Sequence, residues 1–202
     1  MWIFKIGGSW IKNPKLDELA TLFNKFKDEK IVIVTGGGCF ADSVRCAYKN
    51  SNMSEKTGNF LALKATEIFA HYLKIKNPNF FLSDKEDEFY ENKIKIWLPS
   101  KVLSKERSFE KNWNSTSDSV AVWLGSKIVS KGIIFLKSLS FSKTNTYSLN
   151  TLQNQDILDQ NVKKYLSKGT ILKIVGPEIM GYLKKNNDWG KLVSNLCDVN
   201  YK

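Results

Sequence analysis

The residues best suited to chemistry in this chain are glycines and lysines, and they fall in two short stretches. Lys5-Ile6-Gly7-Gly8-Ser9 closes the apolar run Trp2-Ile3-Phe4, and Thr35-Gly36-Gly37-Gly38 closes the run Ile31-Val32-Ile33-Val34. Glycine has no Cβ, so backbone built from it can bring amides within hydrogen-bonding distance of a large anion such as a phosphate. A helix beginning near Phe40 aims its first amides and the positive end of its dipole at the same place, worth about 0.3 to 2 kcal/mol to an anion. A tight strand-to-helix turn with no ligand uses the same glycines, and the spacing matches neither the Walker nor the dinucleotide pattern. Taken alone, the turn leaves both readings open. Lys5 adds a cation at the end of the first strand. An ammonium is costly to bury without a partner, so an anion or a carboxylate must meet it there, unless the strand is an edge and the lysine faces water.

Farther along, Asn112-Trp113-Asn114-Ser115-Thr116-Ser117-Asp118-Ser119 crowds hydroxyl and amide side chains around one carboxylate. Thr116 or Ser117 can cap a helix whose apolar face includes Val120, Ala121 and Leu124, which puts Asp118 in the first turn, where the dipole favours an anion. Capping accounts for these residues, and a polar binding site accounts for them equally. Among 31 basic residues only Arg45 and Arg107 are arginine. The carboxylates between Ser83 and Asn92 come with no pocket residues and read as an exposed connection. His71 reads as a packing or capping residue.

The elements that must hold these residues alternate along the chain. Pro14, Asp17 and Glu18 start a helix on which Leu16, Leu19, Ala20, Phe23 and Phe26 recur at helical spacing. Strand, glycine turn, helix, strand, glycine turn, helix is a βαβ opening with both turns at carboxyl ends of strands, where parallel sheets place their ligands. Helical spacing returns over residues 59–73 through Phe60, Leu63, Ile68 and Tyr72, and residues 94–98 alternate like a strand that Pro99 stops. Residues 132–138 form a strand with Lys137 at its carboxyl end, followed by a loop carrying Ser140, Ser142, Thr144, Asn145 and Thr146. Residues 156–166 read as a helix, 170–175 as a strand ending in Gly176-Pro177, and a short helix starts near Glu178. No linker or repeat interrupts the alternation, so residues 1–202 are expected to form one α/β domain.

A chain of this length buries about 70% of the surface it exposes when unfolded. The formal charge of +11 comes from lysine spread everywhere. With no run of like charges and no nucleic-acid signature, it reads as a solvated surface with a general attraction for anions, and no nucleic-acid partner is expected. Three cysteines without a C-x-x-C pair, and one histidine, build neither a disulfide framework nor a Cys/His metal site. No signal-peptide pattern opens the chain and no apolar run is long enough to span a bilayer, so a cytoplasmic protein with no membrane partner is expected.

The order of these parts, Lys5-x-Gly7-Gly8-Ser9, then Gly36-Gly37-Gly38-x-Phe40-Ala41-Asp42-x-Val44-Arg45, then Trp113-Asn114-x-Thr116-Ser117-Asp118-Ser119, resembles the amino acid kinase superfamily. It is similar in particular to the branch of [5-(aminomethyl)furan-3-yl]methyl phosphate kinases of methanofuran biosynthesis and their methylotroph relatives. Leu98-Pro99-Ser100-Lys101 resembles that branch too. The resemblance implies a three-layer αβα sandwich with a mostly parallel central sheet, ATP and Mg²⁺ as cofactors, and a homo-oligomer. It implies ATP over the C-terminal half and a phosphorylated small-molecule acceptor over the N-terminal half. By the same resemblance Lys5 and Asp118 carry catalysis, Lys5 on the transferred phosphoryl and Asp118 holding the catalytic lysines in place. Gly7, Gly8, Ser9 and Lys137 join Lys5 in binding nucleotide, and Gly36, Gly37, Gly38, Asp42, Arg45, Asn114, Thr116 and Ser117 bind the acceptor, with no protein metal ligand among them.

Such a reaction needs positioning and charge neutralisation rather than covalent chemistry, so lysines, backbone amides and Mg²⁺ suffice. Departures from the pattern are Asn59, where the branch usually has histidine, and Leu136-Lys137-Ser138, where many superfamily members have Thr-Asp. The second leaves the adenine and ribose contacts unassigned. The histidine on which isopentenyl phosphate kinases rely is missing from the glycine-rich segment. A nucleotide-binding regulator without turnover, on the same fold, is the competing reading.

Overall fold

The computed structural model describes residues 1–143 and 146–201; Thr144 and Asn145 of the expected polar loop lie outside the described residues. Strands β1 (Trp2–Ile6), β2 (Ile31–Thr35), β3 (Phe81–Ser83), β4 (Ile94–Trp97), β5 (Gly132–Leu136), β6 (Tyr147–Ser148), β7 (Ile171–Val175) and β8 (Cys197–Asn200) form one sheet in the order β3-β4-β2-β1-β5-β7-β8-β6. All neighbouring pairs are parallel except β7 with β8. The inner strands are apolar on both faces, as a parallel sheet covered twice requires. Around the sheet lie helices α1 (Leu16–Leu22), α2 (Gly38–Lys49), α3 (Glu55–Lys76), α4 (Ser100–Lys105), α5 (Ser117–Lys127), α6 (Leu149–Asn154), α7 (Ile179–Lys185) and α8 (Trp189–Ser194).

Alternation along the strands sorts the core into two halves. Ile3, Val32, Val34, Ile133, Phe135 and Leu172 pack with Val120, Ala121 and Leu124 of α5. Phe4, Ile6, Ile33, Ile134 and Leu136 pack on the other face with Leu16, Leu19 and Ala20 of α1, Phe69 and Leu73 of α3, and Leu183 and Trp189 of α7 and α8. The result is the expected three-layer αβα sandwich. With a period of two, Lys5 shares the face of Ile3, and Lys137 continues the face of Ile133 and Phe135, so both lysines belong to the side that α5 covers. The chain builds outward from β1 through β2 and returns to β5 on its other flank. The strand order reverses at β1, which opens a crevice at the carboxyl ends of β2, β1 and β5.

Several element boundaries differ from those the local patterns predict. Helix α2 begins at Gly38 rather than near Phe40, because Gly38 takes φ 51 and turns the chain into the helix at once. Helix α3 starts earlier than expected, where Ser54 Oγ accepts the Thr57 amide at 3.2 Å. Its buried face runs through Leu63, Thr66, Phe69, Ala70 and Leu73, while Ile68 is 49% exposed. Residues 156–166 are not an α-helix: Asp156 takes φ 54 and only a 3-10 stretch, Gln160–Tyr165, follows. The acidic connection contains a 3-10 turn, Asp87–Tyr90, pinned by buried Phe89. His71 lies on the exposed side of α3 and is not the packing residue expected.

Candidate active site

At the carboxyl end of β1 a carboxylate is held between two ammonium groups. Asp118 Oδ1 lies 2.8 Å from Lys5 Nζ, and Asp118 Oδ2 accepts from Lys137 Nζ at 2.7 Å. Lys5 and Asp118 are each 3% exposed, so Lys5 is no edge lysine facing water. Burial pushes Asp118 up, but the charges of Lys137 and Lys5 together outweigh it, and the carboxyl titrates below its ordinary value. For Lys137 burial wins over Asp118, and with Lys5 adding repulsion its ammonium is held less tightly than usual. Backbone bonds fix that lysine: its amide donates to Val175 O at 2.9 Å, and Trp10 Nε1 donates to its carbonyl at 3.0 Å. Trp10 belongs to the 3-10 turn Gly8–Lys12, so the first glycine turn and the end of β5 are tied together.

Asp118 stands in the first turn of α5, as the capping pattern required, but the cap itself comes from elsewhere. Thr116 occupies the N-cap position without accepting from the helix. Its hydroxyl donates to Asp159 Oδ1 at 2.6 Å, and Asp159 Oδ2 takes the amides of Thr116 and Ser119 at 2.8 and 2.9 Å. Burial and the neighbouring Asp118 charge raise the Asp159 carboxyl above its ordinary value, against the pull of its hydrogen bonds. Sequence reasoning missed Asp159, which sits in the stretch read as a helix. Its only signal is an acidic residue in a polar loop far along the chain from Thr116.

The two glycine turns pack backbone against backbone. A Cβ on Gly8 would lie 2.2 Å from Gly38 N, and one on Gly36 would lie 2.4 Å from Gly8 N. The absence of side chains is thus first a condition for the turns to cross. Gly7 and Gly36 spend their amides on Leu136 O and Ile6 O, both at 2.8 Å, whereas Gly8, Gly37 and Gly38 face open space. Those three line a cavity of about 420 Å³ together with Ser9, Lys12, Cys39, Asp42, Arg45, Thr116 and Ser117. Ile11, Ala41, Ala62 and Leu63 give it an apolar wall.

A second cavity of about 360 Å³ contains Lys5, Lys137, Asp118, Asn114 and Asp159. Arg45, Trp113, Thr116 and Ser117 line both, and so form the boundary between them. The Arg45 guanidinium lies 5.5 Å from the centre of the Trp113 ring and 3.0 Å from Asp42 Oδ1, on a half-exposed side chain. Trp113 is anchored in turn by its amide, which donates to Glu55 Oε1 at 3.0 Å. Asn59 holds the same loop: its Nδ2 donates to Asn112 O and Ser115 O at 2.8 and 3.0 Å, while its Oδ1 is buried without a protein partner. The polar network around Asp118 is thus buried, while Asp42 and Arg45 stand at the surface of the larger cavity.

No group of three or more His, Cys, Asp or Glu among the described residues is placed to hold a metal ion. No helix among the described residues is long and apolar enough to cross a membrane.

No family model matches the chain. The chain is 38% identical over 129 residues to the [5-(aminomethyl)furan-3-yl]methyl phosphate kinase of Methanocaldococcus jannaschii, a match covering 60% of this chain and 58% of that relative. It thus spans less than two thirds of that relative's length. Uridylate kinase from Archaeoglobus fulgidus superposes with a TM-score of 0.65 at 17% identity, over 91% of this chain and 95% of that one. UMP kinase from Ureaplasma parvum gives 0.63 at 15%, over 98% of each chain. Isopentenyl phosphate kinase gives 0.62 at 13%, also over 98% of each. The fold is that of the amino acid kinases.

Proposed function

We propose that this chain, an amino acid kinase by fold, transfers the γ-phosphoryl group of ATP to a small phosphorylated acceptor, an aminomethylfuran methyl phosphate or a close analogue. The observation that carries the proposal is Asp118 between Lys5 and Lys137, beside the point where two cavities meet. The similarity to the archaeal phosphate kinase supports the choice of acceptor. In this reading residues 1–202 act as one domain: the cavity over the glycine turns takes the acceptor, and the cavity over Lys5 and Lys137 takes the reacting phosphates of the nucleotide.

Charge accumulates on the transferred phosphoryl oxygens, and two rigidly held ammonium groups offset it without reorganising. Asp118 is no general base. The acceptor phosphate, with a second pKa of about 6, is already ionised at neutral pH, and the carboxylate is engaged by both lysines. Arg45 is placed to fork an acceptor phosphate at the boundary of the cavities. Mg²⁺, when bound, shields phosphate charge. Asp118 is taken up by lysines and Asp159 by helix amides, so these carboxylates do not form a cage for the metal, which is expected to arrive on the nucleotide.

The test is ATP-dependent formation of ADP and of a diphosphate product, with and without the aminomethylfuran methyl phosphate. Acceptor-stimulated turnover is expected. ATP binding without stimulation by any phosphate or carboxylate acceptor would replace the kinase by a nucleotide-binding regulator.

A further inference from the structure

We propose that Asp159 is a positioning residue of the transfer site: seating the first turn of α5 from the loop side, it keeps Asp118 aimed at Lys5 and Lys137. The proposal rests on the phosphoryl-transfer reading above.

Its geometry is specific. The two amides that Asp159 Oδ2 accepts, from Thr116 and Ser119, straddle Asp118 in the chain. Thr116 could cap the helix with its own hydroxyl, yet that hydroxyl donates to Asp159, so a local neutral cap gives way to a charged one brought from 43 residues away. The loop that delivers the carboxylate is itself clamped. Gln153, 6% exposed, donates to the carbonyls of Asp159 and Gln160 at 2.8 and 2.7 Å, and Gln160 Nε2 returns a bond to Gln153 O at 2.9 Å. Reciprocal bonds of this kind, anchored on buried Gln153, hold one side chain in one place.

Charge gives the arrangement a second use. Two ammonium groups against Asp118 alone leave an excess positive charge in a buried site. Asp159, whose carboxylate form is favoured by one hydroxyl and two amide donors against burial and Asp118, adds negative charge there; the groups facing the cavity are Lys5 from β1, Lys137 after β5, Asp118 from α5 and Asp159 from the loop, with Arg45 of α2 and Asp156 of the loop also lining it. The field of Asp159 favours the charged form of Lys137, which burial opposes.

The experiment compares wild type with Asp159→Asn and Asp159→Glu. For Asp159→Asn, kcat is expected to fall about ten- to a hundredfold with little change in either KM, and the alkaline limb of kcat should move to lower pH. Independently of turnover, the Lys137 ammonium, followed by NMR of its ε-carbon and assigned by its loss in Lys137→Arg, should titrate at lower pH. Asp159→Glu retains the charge but displaces the cap, so kcat should fall while the Lys137 titration stays near that of wild type. Unchanged kcat and Lys137 titration in folded Asp159→Asn would overturn the proposal, as would a loss of kcat that only follows the folded fraction. If Asp159→Asn does not fold, a wild-type kcat in Asp159→Glu overturns it. Should wild type itself show no transfer, the kinase reading fails, and the Lys137 titration still decides whether Asp159 sets that lysine's charge.

Discussion

Lys5 Nζ and Asp118 Oδ1 stand 2.8 Å apart with both residues 3% exposed, so the first strand and the first turn of α5 are joined by an ion pair that water barely reaches. Asp118 shares its second oxygen with Lys137, and neither lysine can be removed without leaving the other two charges to adjust.

Lys5→Met should therefore lower both turnover and stability. Losing one donor to the developing charge costs about 10² to 10³ in kcat. Breaking a buried pair typically costs about 3–5 kcal/mol, and Lys137 should keep the loss at the low end by remaining on Asp118. Steady-state kinetics beside thermal unfolding check this; a near-normal kcat would remove Lys5 from the reaction.

Asp118→Asn should nearly abolish turnover, yet no ionisation near neutral pH should disappear with it. The folded carboxyl titrates below its unfolded value of about 3.9. It contributes stability that is fully present above about pH 4 and is lost as pH falls through the folded value. Wild type should accordingly lose stability below pH 4 more steeply than the Asn variant, as measured by unfolding against pH. An acid limb of kcat near pH 6 to 7 that vanishes in the variant, and does not belong to the acceptor, would make Asp118 a base.

Gly8→Ala tests whether the glycine turns cross as described. The added Cβ would meet backbone at 2.2 Å, which no side-chain rearrangement can relieve, so one turn must move. Loss of turnover together with a melting temperature lower by several degrees is expected. An unchanged melting temperature would mean that the turns have room.

Arg45→Lys should raise the KM of the acceptor more than that of ATP, because an ammonium cannot fork a phosphate or stack on Trp113 in the same way. The pair with Asp42 is solvated and should contribute little to stability, about 0–1 kcal/mol. Equal rises in both KM values would put Arg45 outside the acceptor site.

Cys39, partly exposed on the wall of the larger cavity, offers a chemical readout. Alkylation should slow when the phosphorylated acceptor is bound. Labelling at equal rates with and without acceptor would place the acceptor elsewhere.

The sequence by itself determined what short-range physics can decide. Apolar runs ending in glycine, followed by helical spacing, specify strands whose carboxyl ends carry turns, and a lysine inside such a run demands a partner. The helix start that puts Asp118 in a first turn is legible in the same local way, although the side chain that caps it is Asp159. Tertiary structure decided the partners. Lys5 and Lys137 meet on Asp118 because β1 and β5 are adjacent with Ile6 beside Leu136, a register that no local pattern encodes. Asp159 reaches α5 only after the chain has crossed β5 and α6, and nothing in its neighbours distinguishes it from a solvated loop carboxylate. The glycines show the same division: their residue type announces a close approach, and only the crossing of two turns reveals that the first thing approached is backbone. Periodicity likewise marked Ile68 as core, but burial depends on which face of α3 the sheet and α1 cover, and that choice is made by packing.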